Sequence, residues 1–201
     1  MAIPAVILPT LLLSIPARAE TRMDLEFMPS YFSGEFGTGS ETHILALTST
    51  LIVTHGRHEF RLNVPYLSIT AEAPVTFLGD QVIERGPGGH TTESGPGDVV
   101  LMDEYSFHEG SGGGPSVSAI LRVKLPTADD GRGLGSGEPD GTLGFGLSQP
   151  LGTRWALLGR TEYVVRGDPP GTDLRDTLGV SIDFQRRVSD STSARLSYKW
   201  L

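Results

Sequence analysis

Ser193-Ala194-Arg195-Leu196-Ser197-Tyr198-Lys199-Trp200 alternates polar and apolar side chains without a break. A β-strand turns successive side chains to opposite faces, so Ala194, Leu196, Tyr198 and Trp200 share one face, and Ser193, Arg195, Ser197 and Lys199 the other. From Ser116 onward the pattern recurs in segments of roughly ten residues punctuated by Gly, Asp, Pro and Ser. On the covered face of a soluble sandwich those charges would have to be buried. A membrane barrel inverts the problem, with apolar side chains toward lipid and charges toward a wet or self-paired lumen.

Working outward from that stretch gives nine strand segments. Arg22–Phe32 sets Met23, Leu25 and Phe27 against Asp24 and Glu26. Thr42–Thr54 and His58–Thr70 are joined at His55-Gly56-Arg57, and in the latter Phe60, Leu62, Val64 and Tyr66 alternate with Arg61, Asn63 and Pro65. After a Gly/Pro/acid-rich stretch, Glu72–Gly97, comes Asp98–His108, where Asp103 shares a face with Val99, Leu101, Tyr105 and Phe107. The fifth, sixth and seventh segments centre on Val117–Leu125, Leu143–Ser148 and Arg154–Val165; the eighth is Thr177–Gln185 and the ninth the opening octet.

Connection lengths alternate too. Short turns follow the second, fourth, sixth and eighth segments, and longer loops, Glu72–Gly97 and Thr127–Gly137 among them, follow the odd ones. Bacterial outer-membrane barrels segregate short periplasmic turns from long external loops in this way, whereas a soluble sandwich has no reason to. The predicted fold is all-β, an antiparallel transmembrane β-barrel of about eight to ten strands. Such barrels have an even strand number, so nine segments mean either that one further strand is missing, by truncation at the C-terminus, or that one segment is misassigned.

The N-terminus is apolar and ends in Ala17-Arg18-Ala19, the small-x-small pattern of a secretory cleavage site, without the usual basic n-region. Pro4, Pro9 and Pro16 make it a poor spanning helix. The expectation is a signal peptide over residues 1–19 and a barrel domain over residues 20–201, exported to the outer membrane of a Gram-negative bacterium. The net charge of −8, with no basic stripe, argues against nucleic acid as a partner. With no cysteine there is neither a disulfide scaffold nor a thiolate metal site.

Four stretches carry a family resemblance: Thr54-His-Gly-Arg-His-Glu-Phe-Arg-Leu-Asn-Val-Pro-Tyr-Leu67, Gly97-Asp-Val-Val-Leu-Met-Asp-Glu-Tyr105, Val123-Lys-Leu-Pro-Thr-Ala-Asp-Asp130 and Gly133-Leu-Gly-Ser-Gly-Glu-Pro-Asp140. They resemble the outer-membrane family of meta-pathway phenol-degradation transporters, over a span from about Arg22 to Trp200. The Lys-Leu-Pro-Thr and Gly-Leu-Gly-Ser-Gly pair is the most specific part. The chain departs from the family in having Ala128 where Gly is favoured, in being shorter, and in ending on Leu201 rather than an aromatic residue. The resemblance implies an outer-membrane barrel linked to uptake of hydrophobic or aromatic compounds, and transfers no binding residues.

Parity along the strands nominates Arg61, Glu104, Arg122, Lys124, Arg154, Arg160, Glu162, Arg175, Asp183, Arg195 and Lys199 as lumen-lining. They read either as a solute filter, favouring anions by their basic excess, or as an internal salt-bridge network. In barrels of about eight strands side chains fill the interior, and open aqueous channels need about sixteen, so the filled reading is the stronger for nine or ten. Gly131–Gly137 superficially resembles a nucleotide-binding loop, but no helix follows to aim at a phosphate, and a flexible external loop is the better reading. Asp129, Asp130, Glu138 and Asp140 fit no EF-hand spacing and read as a solvated acidic loop. His55 and His58 flank a turn, but two ligands make no zinc site, and no other metal or cofactor is implied. Ser106 and His108 share an inward face without any mark of an activated nucleophile, so no enzymatic function is expected. Tyr66, Tyr105, Trp155, Tyr163, Tyr198 and Trp200 match interfacial girdles, though ordinary cross-strand aromatic pairs look identical in sequence. The expected function is passive uptake of small hydrophobic or aromatic solutes, with membrane lipid and the solute as partners. A structural or adhesive barrel is the alternative.

Overall fold

Alternation becomes strands over most of the described residues. The computed structural model describes residues 5–7, 11–15, 21–36, 41–72, 75–78, 81–84, 89–110, 112–189 and 192–200. β1 (Ala5–Ile7) and β2 (Leu11–Ile15) precede β3 (Thr21–Gly34), β4 (Thr42–His55) and β5 (His58–Ala71). β6 (Val75–Leu78) and β7 (Gln81–Glu84) form a separate hairpin, followed by β8 (Thr91–Pro96) and β9 (Val99–His108). β10 (Ser116–Leu125), β11 (Asp140–Leu151), β12 (Trp155–Val165), β13 (Thr177–Arg187) and β14 (Ser193–Trp200) follow, and the only helical element among the described residues is a 3-10 turn at Asp130–Arg132.

One antiparallel sheet takes these strands in chain order. β8 pairs with Tyr66–Ala71 of β5 and β9 with His58–Asn63, so β8 and β9 act as one strand broken at Gly97-Asp98. Counted so, Thr21 to Trp200 makes nine strands, in the order and positions that the alternation predicts. The Glu72–Gly97 stretch, which reads as loop, holds the β6–β7 hairpin and β8 as well.

Glu26 of β3 and Arg195 of β14 line one cavity, so the sheet curls through a half-barrel with a concave inner face. Among the described residues β14 pairs only with β13. On the opposite edge β1 and β2 pair antiparallel with β3, at Ser30–Phe32 and Met23–Phe27. The expected cleavage site, Ala17-Arg18-Ala19, lies outside the described residues.

The two faces differ as the pattern requires. On β10 the neighbours Ile120 and Leu121 are 0 % and 56 % exposed. Leu143, Phe145 and Leu147 on β11, Leu178 and Ile182 on β13, and Leu196, Tyr198 and Trp200 on β14 are likewise exposed on the outer face. Trp155 stacks on Phe184 at 4.8 Å and carries the Arg186 guanidinium 5.0 Å above its ring, a cross-strand aromatic contact on the same face.

At the end of the sheet that bears the long connections, the inner face turns apolar. Ile44, Ile69, Ala71, Val75 and Leu134 form a buried cluster, with Phe32, Phe36, Leu67 and Ala128 against it. The Gly131–Gly137 segment is therefore no flexible external loop. Leu134 is 2 % exposed, and the Asp129 side chain accepts from the Arg132 backbone N–H to cap the 3-10 turn. Gly133, at φ 75°, turns the chain so close to the Val75 carbonyl that a Cβ there would collide with it. β11 follows directly, so no helix is available to serve a phosphate.

Candidate functional site

Inward parity brings the strand charges onto the concave face, and there they find partners. Arg122 Nη2 of β10 meets Glu162 Oε1 of β12 at 2.7 Å, and Arg160 Nη2 of β12 meets Glu104 Oε2 of β9 at 3.2 Å. Ser118 Oγ donates to the other oxygen of Glu104 at 2.6 Å. These contacts join residues on β9, β10 and β12 across the curled sheet. Arg61 Nη2 and Glu59 Oε1, two apart on β5, pair at 2.6 Å. On the opposite, outward face His58 Nδ1 meets Asp103 Oδ2 at 3.0 Å, with Phe60 stacked on the imidazole.

Lys124 makes the most enclosed of the inner contacts. Its ammonium lies 2.9 Å from Asp140 Oδ2 and 3.6 Å from Asp98 Oδ2, and donates to Ser136 Oγ at 2.6 Å. The three charged side chains are only 10–15 % exposed. Asp98 also accepts from the Ala128 backbone N–H, and Thr127 Oγ1 accepts from Val99 N–H while donating to the Gly97 carbonyl. The break between β8 and β9 thus supplies the groups that tie residues 126–139 to the sheet. Farther out Arg132 Nε donates to Glu93 Oε2 at 2.8 Å, a bond that raises the guanidinium above its ordinary pKa.

Among the described residues two cavities open on the concave face. One, of about 780 Å³, lies toward the short turns; its charged walls are Glu26, Glu59, Glu104 and Asp183 against Arg61, Arg122, Arg160 and Arg195. The other, of about 310 Å³, lies toward the long connections beside Lys124 and Asp140. Arg122 borders both, so its ion pair with Glu162 marks the boundary between them. The apolar cluster occupies the β4–β5 side of that end, leaving the smaller cavity on the β10–β14 side.

Nine of the eleven nominated residues line these cavities: Arg61, Glu104, Arg160, Asp183 and Arg195 the larger, Lys124, Glu162 and Lys199 the smaller, and Arg122 both. Arg154 and Arg175 do not. Both are exposed just before a strand begins, at Trp155 and at Thr177, and parity holds only while the backbone is paired. Glu26, Glu59, Asp98, Asp140 and Arg166 are not nominated by the sequence yet belong to the walls or their anchors. Strand parity does signal Glu59, which falls in step with Arg61. Of the acidic loop residues, Asp129 caps a turn and Asp140 faces Lys124, and among the described residues no three acidic or histidine side chains gather as a metal site. His55 Nδ1 bonds Thr21 Oγ1 while His58 bonds Asp103, so the two imidazoles serve separate contacts.

Glycine makes room for the network. A Cβ on Gly146 would stand 2.5 Å from Ser118 Oγ and 3.5 Å from Glu104 Oε1. Gly146→Ala is expected to lower stability by about 1–3 kcal/mol through overpacking, read as an earlier urea midpoint with unchanged slope. An unshifted midpoint would mean the wall yields there without cost.

Residues 31–189 match a family model described as "Putative MetA-pathway of phenol degradation". No curated protein matches the chain.

Proposed function

Since the chain belongs to this phenol-degradation family, we propose that it is an outer-membrane β-barrel that passes small hydrophobic or aromatic compounds by passive diffusion. One observation carries the reading: large apolar side chains stand exposed along the outer face of the sheet while the concave face encloses charged cavities. In water such an outer face would drive association, and against lipid it is at its lowest free energy. The apolar amino-terminal stretch acts as an export signal cleaved after Ala19, and the protein catalyses no reaction. The packed 126–139 segment and the β6–β7 region serve as an outer gate, and the inner charges as a filter on what passes.

The tight pairing of Arg122 with Glu162 and of Arg160 with Glu104 favours a second reading, a filled barrel with a structural or adhesive role. Planar-bilayer recording separates the two. Protein refolded into vesicles and fused to a bilayer is expected to give step currents, and their absence from correctly folded protein would overturn transport and leave the structural reading. Extraction of the native protein by salt wash alone would remove the membrane assignment altogether.

A further inference from the structure

We infer that the Arg122–Glu162 ion pair is the constriction of the diffusion path, a charged bar whose breaking joins the two cavities. The inference deepens the transport reading proposed above and rests on it. At the end of the long connections the apolar cluster around Leu134 takes the β4–β5 side and leaves the smaller cavity on the β10–β14 side. Arg122 is the one described residue that borders both cavities, so a solute moving from one to the other passes it. An apolar solute replaces neither partner's hydrogen bond, so the bar must swing aside for it.

Strand register explains how a bar forms here. Arg122 of β10 stands opposite Thr142, and Glu162 of β12 opposite Gly144, so the pair spans β11 to close at 2.7 Å. Arg160 of β12, opposite Gly146, spans the other way to Glu104 of β9. Gly144 and Gly146 are consecutive inner positions of β11, and each lies beneath one of these carboxylates. A Cβ on Gly144 would stand 2.9 Å from Glu162 Cγ, and one on Gly146 would stand 3.5 Å from Glu104 Oε1. The two glycines therefore form a furrow that lets both pairs reach across the strand. Arg61 and Glu59, two apart on β5, pair without crossing a neighbour and make no such bar. The Arg122 and Glu162 side chains are 29 % and 17 % exposed, wet enough to part without stranding a fully buried charge.

Single-channel recording in potassium chloride tests this on the parent protein and three variants, each folded in detergent as judged by circular dichroism. Arg122→Glu sets two carboxylates against each other and is expected to raise step conductance about twofold or more, since pore width and wall charge govern passage. Arg122→Ala removes the bar without adding charge and is expected to act in the same direction. The exchange Arg122→Glu with Glu162→Arg rebuilds the pair in reverse and is expected to restore the parent conductance. Equal conductance in the parent and both single variants would overturn the inference and leave diffusion standing. A rise that persists in the exchanged pair would also overturn it, because the pairing itself would then not matter. A silent parent beside a conducting Arg122→Ala would keep the bar and strike diffusion through the resting protein. Silence in all four would strike both.

Discussion

Lys124→Met is expected to free residues 126–139 from the sheet. The variant keeps a chain of similar length but leaves Asp98 and Asp140 facing each other's charge, both 10–14 % exposed, with no ammonium between them. Removing one partner of a buried ionic group costs about 3–5 kcal/mol, because the remaining charge must be rehydrated or protonated. The cheapest rehydration is local: the segment lifts, carrying Ser136 away from position 124 and the Ala128 N–H away from Asp98. Leu134 and Ala128 would leave the apolar cluster with it. Arg132, the sole Lys or Arg within 126–139, provides the readout, since trypsin cuts after it once the segment detaches. The parent protein in detergent should resist cleavage there and the variant should be cut within the folded barrel. Equal resistance would show that the apolar cluster alone retains the segment.

Phe145→Arg should be the most damaging change on the outer face. Phe145 is mid-strand on β11, opposite Ala119 and Thr161, and 53 % exposed. An arginine directed at lipid near the middle of a transmembrane strand costs about 2–4 kcal/mol, falling toward zero near the interfaces. The matched change on the inner face, Ser148→Arg, directs the same charge into the larger cavity, where Glu104 and Asp183 are among the walls. Urea unfolding in phospholipid vesicles is expected to show a large loss for Phe145→Arg and a small one for Ser148→Arg. Equal losses on both faces would mean that the outer face is not presented to lipid.

The nine-strand order was legible because alternation states both that a segment is a strand and which side chains share a face. Nine of eleven inner charges followed from that. Arg154 and Arg175 sit at the proper parity but one and two residues short of a strand, where nothing in the local sequence marks the end of pairing. The apolar cluster was not legible. Ile44, Leu67 and Ile69 sit among apolar neighbours in their strands, so parity alone does not tell an apolar inner residue from a lipid-facing one. The specific Lys-Leu-Pro-Thr and Gly-Leu-Gly-Ser-Gly stretches were visible as motifs, but their shared task appears only when Asp98 and Val75, remote in the chain, come beside them.

The sequence by itself determined a curled antiparallel sheet with one apolar and one charged face, because the period of two is a local property of the backbone. Only the tertiary structure decided which charges neutralise one another and that residues 126–139 pack inward. Those outcomes depend on distances between strands that are remote in the chain, and on how strongly buried charges require partners. No local pattern encodes either.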